Sequence, residues 1–114
     1  MKEHQMKLKP SPFTLIKEGK KTIELRLYDE KRKLISIGDT ITFTNTNDSK
    51  DIIKSSVIDL YLFDSFEELY NTLPLNECGY TDVKNASYLD MEKYYSKEEQ
   101  SKYGVVGIKI AVHQ

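Results

Sequence analysis

From Met6 to Leu8 apolar residues alternate with lysines, the two-residue period of a short, half-buried strand. Pro10-Ser11-Pro12 then predicts a helix start, with Ser11 at the N-cap and Pro12 in the first turn. Phe13 and Ile16 share one face of that helix, and Gly19 falls where a C-cap glycine belongs, with Lys17 and Lys20 near the negative end of the dipole. After it Ile23, Leu25 and Leu27 alternate with Thr22, Glu24, Arg26 and Tyr28. That is a strand with one buried and one polar face.

Leu34 to Ile37 reads as another short strand, and Gly38-Asp39 as a turn before a strand over Thr40 to Thr44. The polar stretch from Asn45 to Ser49 predicts a hairpin loop. Its partner, Ile52 to Phe63, is long enough to bend around a barrel, with Ile58, Leu60 and Leu62 on one face and Val57, Tyr61 and Phe63 on the other. Ser65-Phe66-Glu67-Glu68 has the form of a capping box, Phe66, Leu69, Tyr70 and Leu73 follow at helical spacing, and Pro74 ends the run. Leu75 to Asn85 is irregular. Ser87 to Asp90 and Ser96 to Glu99 predict two short helices or one broken helix, closed by Gly104, and Val105 to Val112 a last strand burying Ile108, Ile110 and Val112. Five to six strands with short helices inserted, and no alternation of strand and helix, predict an α+β, mostly β chain built on a mixed β-barrel.

Composition narrows the picture. A chain of 114 residues has room for one core, so residues 1–114 are expected to form a single domain and a monomer. No stretch approaches a membrane span, and Met1 to Met6 lacks the apolar run of a signal peptide, which predicts a soluble, cytoplasmic protein. Cys78 has no partner for an intramolecular disulfide, and with only His4 and His113 beside it there is no metal-ligand spacing; neither a metal nor a cofactor is expected. The net charge of −1 hides an asymmetry, because residues 1–33 carry ten Lys/Arg against five Asp/Glu. This balance argues against general polyanion binding and leaves a local basic patch, which reads equally as solvated surface.

The run Gly19-Lys20-Lys21-Thr22-Ile23-Glu24-Leu25-Arg26 resembles the G-x-K-x-x-E-x-R signature of the ASCH family at its four fixed positions, Gly19, Lys21, Glu24 and Arg26. The upstream Pro-x-Pro-Phe helix and the downstream Gly38-Asp39 are similar to that family as well. The resemblance implies a PUA-like mixed β-barrel with a cleft near the first helix, and RNA or a modified nucleoside or nucleotide as ligand. Some small bacterial members are amidohydrolases that remove acyl groups from N4-acetylcytidine with a lysine, a threonine and a glutamate. Here Glu24 stands where those enzymes have the threonine.

On physical grounds Glu24 and Arg26, two apart on a strand, leave the same face and can pair or converge on one ligand. Lys21 has the opposite parity and joins them only from a turn, which Gly19 makes feasible. The bland alternative is an ion pair on a solvated face, with Lys21 an ordinary surface lysine and Thr22 an ordinary β-former. Gly19, Lys20, Lys21, Glu24, Arg26, Tyr28 and Arg32 are the candidate ligand-binding residues. If the chain is an enzyme, Lys21 as base, Glu24 as orienting acid and Thr22 as nucleophile are the candidates, with Glu67, Glu68 or Glu77 as a further carboxylate. Tyr28, Tyr80 and Tyr88 are the tyrosines placed to stack on bases; Tyr70 and Tyr95 fall at core spacing. A docking role for the acidic segment Glu92 to Glu99 is weaker than its reading as solvated helix.

Overall fold

The computed structural model describes residues 1–114. A five-stranded sheet is built from β1 (Glu3–Leu8), β2 (Ile23–Leu27), β3 (Thr40–Asn45), β4 (Asp48–Phe63) and β5 (Val105–Val112), in the spatial order β1-β3-β4-β5-β2. Neighbours are antiparallel except β1 and β3, which run parallel with Met6 opposite Phe43. The sheet curls into a half-barrel with short helices, the α+β, PUA-like arrangement expected. β1 and β2 are its two edges.

Two apolar clusters hold the sheet. Met6, Leu8, Ile41, Phe43, Val106, Ile108 and Ile110 meet Phe13 and Ile16 of α1 (Pro10–Lys17) inside the curve. On the other face of β2 and β5, α2 (Phe66–Thr72) packs Phe66, Leu69 and Tyr70 against Ile23, Leu25, Leu27 and Val105. A 3-10 helix, Tyr88–Lys93, and α3 (Lys97–Tyr103) complete that layer. The buried Gln100 of α3 accepts from the Phe66 amide at 2.9 Å and so joins the two helices.

Several local expectations change. Lys9, not Ser11, is the N-cap of α1, with Pro10 at the first position and no side-chain cap bond. Pro12 lacks the N–H that a cap would satisfy, so there is little for one to do. Ser65 caps α2 by accepting from the Glu68 amide, while the full reciprocal box forms at Ser96 and Glu99. Leu34 to Ile37 is not a strand: Arg32–Leu34 is a 3-10 turn, and the Ser36 amide donates to Asp39 rather than to a neighbouring strand. Val112 is 37% exposed, and Val105 and Val106 fill the core in its place.

The long strand β4 begins at Asp48, four residues before its predicted start, because Thr46 and Asn47 make a tight turn in which the Asn45 side chain accepts from the Asn47 amide. A bulge between Val57 and Asp59 then inserts one extra residue. Val57 and Leu60, of opposite parity, both pack into the barrel cluster, while Ile58 is turned outward and half exposed. The simple alternation read from the sequence therefore fails on one side of the bulge.

Candidate functional site

The local sequence after α1 explains how Lys21 reaches the face of Glu24. Gly19 adopts a positive φ of 77° and lets the chain reverse, and the amides of Lys20 and Lys21 both donate to the Leu15 carbonyl. Lys21 thus leaves a turn, free of the strand alternation that begins at Ile23. Its Nζ lies 2.8 Å from Glu24 Oε1, and Arg26 Nε lies 2.8 Å from Glu24 Oε2. The Glu24 side chain is only 4% exposed, against 12% for Lys21 and 14% for Arg26.

Burial raises the cost of ionising Glu24, but the charges of Lys21 and Arg26 and their hydrogen bonds outweigh it and hold the carboxyl below its usual value. Arg26 has a second task. Its Nη2 donates to the Lys7 carbonyl at 3.0 Å, so one guanidinium of edge strand β2 reaches across to edge strand β1.

A cleft of about 990 Å³ opens where these edges approach. Lys7, Leu8 and Lys9 form one bank, Lys21, Glu24, Leu25 and Arg26 the floor, and Cys78, Gly79 and Tyr80 with Tyr70 and Tyr95 the far wall, while the exposed Tyr94 stands at the rim beside Lys9. That wall is anchored from behind. The Glu77 carbonyl accepts from the amides of Thr22 and Ile23, and the Glu77 carboxylate pairs with Lys109 and accepts from the Thr22 hydroxyl at 3.1 Å. Gly79, with a φ of 104°, carries no side chain where the stem of Lys21 passes, 3.1 Å from the position a Cβ would take.

Tyr80 Oη lies 2.6 Å from Tyr70 Oη and donates to Asp90 at 2.8 Å, and burial pushes both phenols up, Tyr70 to about 12. They act as fixed neutral donors and acceptors. Burial also pushes the Cys78 thiol up to about 11, which makes it a packing residue and not a nucleophile at neutral pH.

Of the residues singled out from sequence, Lys21, Glu24 and Arg26 meet on the cleft floor, Gly19 supplies the turn, and Tyr80 lines the wall. The others lie elsewhere. Lys20 is exposed beside Glu18; Arg32 pairs with Asp29, with its buried Nε unpartnered; Tyr28 packs against the barrel cluster under Lys33. Thr22 does not share the face of Glu24, because it precedes the regular strand; its hydroxyl accepts from Lys109 at 3.1 Å and donates to Glu77. Glu67 and Glu68 sit in the first turn of α2, and Tyr88 packs on the second cluster.

Sequence reasoning passed over Lys7, Lys9 and Tyr94 and treated Tyr70 and Tyr95 as packing alone. Tyr95 does stack on Phe66, with centroids 5.7 Å apart, yet it also faces the cleft. For Lys7 and Lys9 a signal existed: they alternate with Met6 and Leu8, which puts Lys7 on the polar side of β1 and Lys9 just past its end, at the N-cap of α1. No group of His, Cys, Asp and Glu is arranged to hold a metal, and no helix is long and apolar enough to cross a membrane.

Known proteins share the domain and its fold. Residues 6–113 match the model of the ASCH domain. The chain is 32% identical to the hypothetical protein PH0355, with a TM-score of 0.81 over 97% of this chain and 99% of that one. It is 34% identical to protein PF0455 from Pyrococcus furiosus, with a TM-score of 0.74 and 98% of each chain covered. The ASCH protein from Zymomonas mobilis, 19% identical, shares the fold, with a TM-score of 0.70 over 98% of this chain and 68% of its own. Nothing matches among curated proteins. With the signature residues gathered on one cleft floor and the domain model matched over nearly its whole length, the chain belongs to the ASCH family.

Proposed function

We propose that the cleft binds RNA or a modified nucleoside or nucleotide. The observation that carries the reading is the buried Glu24, paired with both Lys21 and Arg26, at the foot of a wall formed by Tyr70, Tyr80 and Tyr95. A nucleobase presents flat apolar faces and an edge of donors and acceptors, so it suits a site with aromatic sides and a floor of fixed hydrogen-bonding groups. Glu24 is an acceptor in a nearly dry position, and Lys21 retains donors beyond the one that Glu24 takes.

The test is titration of the purified protein with nucleosides and short single-stranded RNA at several salt concentrations. RNA affinity is expected to fall with salt, and affinity for either ligand to drop at least tenfold in Lys21→Ala, with folding checked by circular dichroism. Salt-independent RNA binding, or RNA binding unchanged when Lys21→Ala and Arg26→Ala are combined, counts against the reading. Hydrolysis of N4-acetylcytidine has less support, since Lys21 is committed to Glu24 and the Thr22 hydroxyl to Lys109 and Glu77, outside the cleft lining. Release of cytidine above that of a Lys21→Ala control would reverse that order.

A further inference from the structure

Of the five cations that line the cleft, Lys93 lies 3.9 Å from Asp90, and the other four fall into two sets. On the floor, Lys21 and Arg26 are taken up by Glu24. On the bank, Lys7 and Lys9 are exposed and neither pairs with a carboxylate. Facing them stands Tyr94, 62% exposed, with Lys9 Nζ 5.5 Å from its ring centroid. An aromatic ring left in water beside free lysines contributes little to folding, because it buries little area. On the floor Glu24 engages both cations and offsets one of their two charges, whereas the rim offers unpaired lysines to an anion next to a flat surface.

We infer that the rim is a second nucleotide subsite, in which Tyr94 stacks a base and Lys7 and Lys9 meet the adjoining phosphate. The inference rests on the proposed function above and sharpens its ligand class: the site takes an oligonucleotide in preference to a lone nucleoside. The cleft volume, about 990 Å³, is at the upper end for sites that hold one small molecule. Stacking on an exposed aromatic ring tolerates any base, so Tyr94 adds affinity without base specificity.

Calorimetric titration with the four nucleosides, their 5′-monophosphates, and mixed-sequence ribonucleotides two and six residues long tests this. The dinucleotide is expected to bind at least tenfold more tightly than the best nucleoside. Tyr94→Ala should remove about tenfold from dinucleotide affinity and leave nucleoside affinity within twofold, whereas Tyr94→Phe retains both. Replacing Lys7 and Lys9 by Gln should lower the salt slope by about 0.7 for each phosphate that no longer meets a lysine. Tyr94 is exposed, so these variants keep the fold, which a thermal melt verifies. A dinucleotide that binds no better than a nucleoside, an equal loss on both ligands in Tyr94→Ala, or polyglutamate binding as tightly as RNA overturns the inference. The first two outcomes leave the nucleoside reading of the floor standing. Failure of every nucleoside and oligonucleotide to bind removes that reading and the inference together.

Discussion

Glu24 holds two cations in place while almost wholly out of water, and this sets how the floor answers to mutation and to pH. Removing one partner from a buried ion pair leaves the other charge uncompensated, so Glu24→Gln is expected to cost about 3 kcal/mol in urea unfolding at pH 7. The pH dependence has a definite sign. The folded carboxyl lies below its unfolded value of about 4.3, so its contribution is complete above that pH and is lost as pH falls through the folded value. Wild-type and Glu24→Gln stabilities should therefore converge on acidification. Asp39 adds a loss of the same sign, because the His4 side chain and the amides of Lys2 and Ser36 hold its carboxyl well below the ordinary range; it is present in both proteins and does not disturb the comparison.

β4 shows how one inserted residue redirects an element. Because Val57 faces the barrel core and Ile58 faces solvent at the bulge, Val57→Ala should cost about 2 kcal/mol and Ile58→Ala less than about 0.5 kcal/mol, by the same unfolding measurement. Alternation alone gives Ile58 the same standing as Leu60. Periodicity made β2 and most of β5 legible, and glycine placement made the turn at Gly19 legible, since those signals act over a few residues. The bulge was not, because it is set by pairing β4 with β3 on one side and β5 on the other. The same holds for the site: the signature identified Lys21, Glu24 and Arg26, while Lys7, Lys9 and Tyr94 become neighbours of the floor only through the curl of the sheet and the 3-10 segment packed beside it. Thr22 was misplaced for the opposite reason, strand alternation having been extended one residue into a turn.

At the scale of the molecule the half-barrel has two edges that no strand joins, and Arg26 is a direct link between them. Arg26→Lys keeps the charge beside Glu24 but cannot also reach the Lys7 carbonyl with a rigid planar fork. It is expected to lower stability by about 1–3 kcal/mol and to speed amide exchange in β1 more than in β3 or β4, as hydrogen exchange monitored by NMR would show. The sheet order has a kinetic consequence as well. β2 carries the floor, yet its only strand partner is β5, which sets Glu24 opposite Ile108, more than eighty positions along the chain. Contacts so distant in sequence form slowly, since the loop between them must be closed before pairing stabilises it. Competence to capture a ligand should accordingly arise in the final phase of refolding, when β5 zips onto β2, and a nascent chain that has not yet released residues 105–112 would have the signature without the pocket.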